Sequence, residues 1–308
     1  MGYRLENGGH IDRSQPIRIR WNGREIVAFA GDTIASALLA NGERIVGRGM
    51  KLHRPRGILS AGSEEPNALV TLGHGAELEP SARATMIPVR DGLVVHAQNA
   101  WPSVRFDFGR VLDATAPLWR AGFYNKTFKW PSWDFYEQWI RRTAGIANPP
   151  RKPDPARYDA VNAHCDLLIV GGGPTGLLVA QIAARAGLTV LLAEQDFQWG
   201  GRLLATNTLI NGAPVAVWLT SVLGELATTR NVTLMTATTA FGLYDHGSAG
   251  LLQRLDLQGE APPIRQRYWR VHTKQTLLAT GAIEQPLVFE YNDRPGIMLA
   301  GAIRQYVN

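Results

Sequence analysis

Between Cys165 and Glu194 the residue types and their spacing are those that hold a dinucleotide. Gly171-Gly172-Gly173-Pro174-Thr175-Gly176 fits the pattern G-x-G-x-x-G. In that pattern Gly171 permits a tight turn, Gly173 lets the backbone approach a pyrophosphate, and Gly176 lets a helix pack closely on a strand. The helix that follows offers free N–H groups and the positive end of its dipole to phosphate. Glu194, about twenty residues further on, is placed to accept hydrogen bonds from an adenosine ribose. A carboxylate there repels a 2′-phosphate, which favours NAD or FAD over NADP, and the pattern does not choose between those two. Glycine-rich turns are common; the strand before, the helix after and the terminal acid give this one its meaning.

Further candidates lie downstream. The loop from Gln195 ends in Gly200-Gly201-Arg202, where glycines let backbone lie along a bound dinucleotide and Arg202 suits a phosphate. Thr276–Gly281 reads as a buried strand ending in Thr280-Gly281, and open α/β sheets bind ligands at the carboxyl ends of their strands. The candidate cofactor set is therefore Gly171, Gly173, Pro174, Gly176, Glu194, Gly201, Arg202 and Gly281. No catalytic residue joins it. There is no G-x-S-x-G, Cys165 has no evident activating group, and no acid/base pair is positioned. The seven histidines show no zincin-type spacing, so no metal site is expected.

The whole chain must supply the elements that position these residues. Its 308 residues leave room for two cores, and 45% hydrophobic with 19% charged residues describes an ordinary soluble globular protein. One cysteine excludes a disulfide framework and a Cys-based metal cluster within one chain, and it fits a reducing cytoplasm. No basic start leads into an apolar core, so no secretory signal is expected. The apolar region 166–193 is interrupted by glycines, Pro174, Gln181 and Arg185, which suits a βαβ unit better than a membrane span. The net charge is +6 and basic residues gather early, from Arg13 to Arg56, but no nucleic-acid-binding signature accompanies them.

Ahead of the fingerprint, Ile17–Trp21 and Arg24–Ala28 flank Asn22-Gly23, the strongest short-range signal for a hairpin. Asp32 is the expected N-cap of a helix with Ile34, Ala35, Leu38 and Leu39 on its apolar face and Gly42 as its stop. A hairpin followed by a packed helix suggests a β-grasp module like that of plant-type ferredoxins, closed by short strands at 84–88 and 93–96. In ferredoxins the loop after this helix carries clustered cysteines. Here Arg48–Gly62 has none, so no iron–sulfur cluster is expected. Residues 101–145 are rich in aromatics, from Trp101 and Phe106 through Trp119 and Phe123 to Trp139, which could stack a flavin or a substrate but more often fill cores and subunit interfaces. Asn148–Pro155 is a stiff, proline-rich linker.

Beyond it, Leu177, Leu178, Ile182 and Ala183 are expected on the packed side of the fingerprint helix. A second helix runs from Pro214 to about Thr229, and further strands lie at 189–192, 232–236, 241–244, 251–257, 268–272 and 276–281. The fold class is α/β. Residues 1–100 form a ferredoxin-like β-grasp domain, 101–158 a connector and linker, and 159–308 a Rossmann-like FAD/NAD(P)-binding domain that is incomplete.

With these residues assembled, the chain resembles the N-terminal part of the alpha subunits of heterotetrameric sarcosine oxidases. The resemblance runs through Gly31–Gly42, His53–Gly57, Gly62–Val70, Asn125–Phe128, the glycine fingerprint and Leu278–Gly296. Related alpha subunits serve opine oxidases and cyanide synthases, whose ferredoxin-like segments often keep their cysteines. The resemblance implies an oxidoreductase subunit, inactive alone, in a cytoplasmic assembly that oxidises sarcosine to glycine and hydrogen peroxide. The one-carbon unit passes to tetrahydrofolate or leaves as formaldehyde. A beta subunit would perform amine oxidation on FAD, FMN would lie between alpha and beta, smaller subunits would complete the assembly, and the fingerprint would hold NAD. The alternatives are a subunit of an FAD-dependent opine or amine dehydrogenase and a non-catalytic dinucleotide-binding scaffold.

Overall fold

The computed structural model describes residues 2–118, 122, 127–144, 150–257 and 263–308. They form two compact units, 1–154 with 284–307 and 155–283 with Asn308. Trp119, Phe123, Asn125, Asn148 and Pro149 lie outside the described residues.

The first unit opens with the expected hairpin, β1 (Asp12–Trp21) and β2 (Arg24–Ala30), in which Trp21 pairs with Arg24. Asn22 and Gly23 have φ of 48° and 83°, the left-handed pair that a two-residue primed turn requires. Helix α1 (Ile34–Ala40) buries Ile34, Ala35, Ala37 and Leu38. Its N-cap is Thr33 rather than Asp32: the Thr33 hydroxyl accepts the Ser36 N–H, and the Ser36 hydroxyl accepts the Thr33 N–H at 2.9 Å. Asp32 is buried and accepts from Phe29 N–H, the Ser36 hydroxyl and the Arg4 guanidinium, so it ties Arg4 and the hairpin to the helix start.

Strands β3 (Leu69–Leu72), β4 (Glu79–Arg83) and β5 (Val94–Ala97) complete a sheet of order β2-β1-β5-β3-β4, with β5 parallel to β1. The strand expected at 84–88 does not form. Its carbonyls at Ala84 and Ile87 instead accept the N–H groups of Ala35 and Ile34, which the first turn of a helix leaves unpaired.

Two buried polar groups organise the loops of this unit. The Glu65 carboxylate, 1% exposed, accepts four backbone N–H groups: Leu59 at 2.9 Å, Ser60 at 2.6 Å, Asn67 at 2.7 Å and Ala68 at 3.0 Å. Asp107 holds His53 Nδ1 at 2.7 Å and lies 4.0 Å from the Arg48 guanidinium, which donates to the carbonyls of His53, Val104 and Arg105. Most of the described connector aromatics do not fill a core. Trp101, Phe106, Phe108 and Trp130 are exposed, as are Trp133, Phe135 and Trp139 on helix α2 (Trp133–Ala144).

Among its described residues the second unit is built on a six-stranded sheet with two α-helices. In chain order it runs β6 (Tyr158–Val170), α3 (Pro174–Arg185), β7 (Val190–Ala193), α4 (Val215–Thr228), β8 (Val232–Met235), β9 (Thr238–Tyr244), β10 (Ser248–Arg254) and β11 (Gln266–Leu278). The spatial order is β8-β7-β6-β11-β10-β9; the first four are mutually parallel and the last two form an antiparallel meander. The strands expected at 268–272 and 276–281 are one, because β11 pairs with β6 from Gln266↔Tyr158 to Leu278↔Val170.

One face of the sheet packs Leu168, Leu191, Met235, Leu251, Val271 and Cys165. The other packs Ile169 and Leu192 against Leu177 and Ala180 of α3 and Val222 and Leu226 of α4. Each fully buried large side chain contributes roughly 1.5–3 kcal/mol. The buried stripe of α3 is Leu177, Ala180, Ala183 and Ala184; Leu178 and Ile182, expected on it, face outward at 43% and 66% exposure. A stripe at spacings of three, four and seven matches the helical repeat, and positions 178 and 182 fall off it. No helix of the described residues is long and apolar enough to cross a membrane.

Candidate dinucleotide site

The site grows from the carboxyl edge of β6. Gly171 leaves that strand with φ of 111°, and its N–H donates to the Ala193 carbonyl of β7 at 2.8 Å. A Cβ there would sit 2.3 Å from the Ala279 carbonyl oxygen, so the loop lies hard against the exit of β11. A Cβ on Gly176 would come within 1.9 Å of the Gly171 carbonyl oxygen: this glycine lets the first turn of α3 close over the loop. Gly173 differs, because nothing lies within 4 Å of its Cβ position. The open space there is where a pyrophosphate would lie. Gly173 is also the N-cap of α3, with no side-chain cap and Pro174 in the first turn, so the helix start keeps amides to offer an anion.

The acid stands where the spacing places it. Glu194 follows β7, is 8% exposed, and its Oε2 accepts the Gly172 N–H at 2.6 Å. Its Oε1 accepts the Asp196 N–H at 2.9 Å, and its main chain is clamped to Met235 and Thr238. The loop after it returns to the fingerprint: Gly200 N–H donates to the Gly172 carbonyl at 3.0 Å, and the Cβ position of Gly201 is 3.3 Å from the Gly173 Cα. Arg202 Nη2 donates to the Ala282 carbonyl at 2.7 Å, beside Gly281, and so ties this turn to the loop after β11. The structure thus gathers Gly171, Gly173, Pro174, Gly176, Glu194 and Gly201 around one edge, while Arg202 bonds to Ala282, the residue after Gly281.

Two residues here were not singled out from the sequence. The Trp199 ring covers Gly172, within 2.4 Å of where a Cβ would be. Asp196 lies beside Glu194, and burial, together with the Glu194 charge, raises its carboxyl to about 6. An aromatic and an acid in a short glycine-rich loop carry no spacing signal, so only the returned loop shows their place. The raised value gives stability a pH dependence. The contribution of Asp196 is full below its ordinary value of 3.8 and is lost as pH rises through about 6. Asp196→Asn is expected to flatten the stability profile between about pH 4 and 6 by at most about 3 kcal/mol. Urea melts across that range check it, and an unaltered slope counts against it.

This geometry agrees with what the chain resembles. Residues 169–217 match the family described as an NAD(P)-binding Rossmann-like domain, and residues 14–100 match a 2Fe-2S iron-sulfur cluster binding domain. The second match corrects the expectation that this chain takes no iron–sulfur cluster. That expectation counted thiolates, whereas the likeness spans the module's hairpin, helix and closing strands. The donor set of residues 14–100 contains no thiolate, since the one cysteine is Cys165, and a thiolate-held cluster does not fit it. No electron-transfer step is assigned to these residues.

The sarcosine oxidase alpha subunit of Rhizobium meliloti (strain 1021) is 47% identical over 99% of this chain and 32% of its own length. That of Corynebacterium sp. (strain U-96) is 38% identical over 98% of this chain and 27% of its own. The chain spans about a third of the length of these curated relatives. Among solved structures, L-proline dehydrogenase from P. horikoshii aligns at a TM-score of 0.58 and 22% identity, over 95% of this chain and 45% of that one, a likeness of fold. Along its whole length, then, the chain is homologous to about a third of the alpha subunit of sarcosine oxidase.

Proposed function

We propose that this chain is the dinucleotide-binding part of an oxidoreductase subunit of the sarcosine oxidase type, with NAD as its ligand. The observation that carries this reading is the junction of Gly172 and Glu194: the loop amide and the ribose-end acid are joined at 2.6 Å beside an open helix start. Gly173 and the first turn of α3 would hold the pyrophosphate, and Glu194 would receive the adenosine ribose. The bound nucleotide supplies redox chemistry or a structural anchor; the residues of this chain bind, orient and exclude. No positioned acid/base pair or nucleophile is among the candidate residues, so oxidation of sarcosine to glycine, a one-carbon unit and hydrogen peroxide falls to a beta subunit. The chain alone is inactive. Tetrahydrofolate or release as formaldehyde accounts for the one-carbon unit, and the assembly works in the cytoplasm.

The reading is tested by titrating the full chain with NAD, NADP and FAD in a calorimeter. NAD is expected to bind and NADP to bind far more weakly. A hydrogen bond to a charged acceptor contributes roughly 1.5–3 kcal/mol, so Glu194→Ala should weaken NAD by about ten- to a hundredfold. Equal affinities for NAD and NADP, or an undiminished affinity in the variant, would show that the ribose lies elsewhere.

A further inference from the structure

We propose that Asp196 is a second specificity-determining residue of this site, presenting its carboxylate with that of Glu194 to the ribose diol and rejecting a 2′-phosphate. The inference rests on the dinucleotide reading and names the group that sharpens it. Glu194 has each of its oxygens already committed once, Oε2 to the Gly172 N–H and Oε1 to the Asp196 N–H. It is also the more buried of the two acids. A ribose arriving from solvent therefore meets Asp196 as well as Glu194.

Asp196 is not on a wandering loop. Its carbonyl accepts the Ala237 N–H at 2.7 Å, and the Thr238 N–H donates to the Glu194 carbonyl at the same distance. The turn between β8 and β9 thus clamps both acids to one end of the site. The Asp196 carboxylate accepts the Phe197 N–H at 2.7 Å, and among the described residues the groups that act on it are backbone amides and the Glu194 charge, with no cation among them.

Two carboxylates held together in a partly dry setting, with no cation between them, repel each other. Folding alone gains nothing from that arrangement. Hydroxyl donors relieve it, because each places a partial positive charge at a carboxylate oxygen. A ribose 2′,3′-diol supplies two such donors, whereas a 2′-phosphate brings more negative charge to the same place. The chemical class that fits is a dinucleotide with an unesterified adenosine ribose.

The experiment compares NAD and NADP by calorimetry on the full chain, as wild type, Asp196→Asn and Asp196→Ser, with a thermal melt of each. Both variants leave Glu194 in place and remove the second charge. The expected result is a wild-type preference for NAD that narrows at least tenfold in Asp196→Asn, with a melting temperature equal to or above that of wild type. Asp196→Ser provides the same reading if the asparagine variant folds poorly. A folded variant whose NAD-to-NADP ratio is unchanged overturns the role of Asp196 while leaving the site intact. A folded wild-type chain that binds neither nucleotide overturns the dinucleotide reading, and this inference with it.

Discussion

Gly176→Ala is expected to destabilise the dinucleotide unit severely, whereas Gly173→Ala should leave it folded and deprive it of its ligand. At Gly176 the added carbon would stand 1.9 Å from a backbone oxygen of Gly171, which cannot turn aside as a side chain could. The loop itself is fixed, since Gly171 N–H is bonded to β7 and the space beside its Cα, where a Cβ would be, is filled by the Ala279 carbonyl. Either α3 lifts off the sheet, uncovering Leu177 and Ala180, or the loop leaves β7. Overpacking of this kind costs about 1–3 kcal/mol, and occasionally more; rigid backbone on both sides places Gly176 at the upper end. At Gly173 the added methyl meets no protein atom, and the backbone there is ordinary extended chain. It intrudes only on the space for phosphate. Thermal melts paired with NAD titration separate the two. A stable Gly176→Ala, or a Gly173→Ala with full affinity, would contradict this account.

Glu65→Ala should be the most damaging single truncation in the first unit. Four backbone N–H groups converge on that carboxylate, and removing it leaves all four without an acceptor. An unsatisfied buried donor costs roughly 1–3 kcal/mol, so the loss should reach about 4 kcal/mol or more. Glu65→Gln keeps one acceptor oxygen and turns the other position into a donor facing two amides, and it should lie between. Denaturant melts of the three proteins give the order directly. A Glu65→Ala protein within about 1 kcal/mol of wild type would mean that water replaces the carboxylate at no cost.

Much of this architecture is legible in the residues. The Asn22-Gly23 turn, the fingerprint strand, α3 and the acid that follows β7 all announce themselves because local chemistry dictates them. What escapes is what non-local pairing decides. Tyr158–His164 carries no apolar run of its own, yet it is strand, because β11 pairs along its full length. Asp32 has the type of an N-cap and is recruited by Arg4 instead, which leaves the cap to Thr33. In the site, the glycines and Glu194 were visible by spacing. Asp196 and Trp199 were not, since their roles arise only when the 195–201 loop folds back over Gly172. The cysteine count showed which donors the first module lacks, but not which family its frame belongs to.

The single cysteine gives the chain an experimental property of its own. Cys165 is packed in the core beneath the sheet, and burial raises its thiol above the ordinary range. A thiol that is both covered and protonated is a poor nucleophile toward alkylating reagents. The native protein is therefore chemically silent in a labelling reaction, and its one thiol reports unfolding of the second unit when it becomes modified. A cysteine introduced at any exposed position would then be a unique handle, so that a fluorophore or spin label can be placed on either unit without first removing anything from the natural chain.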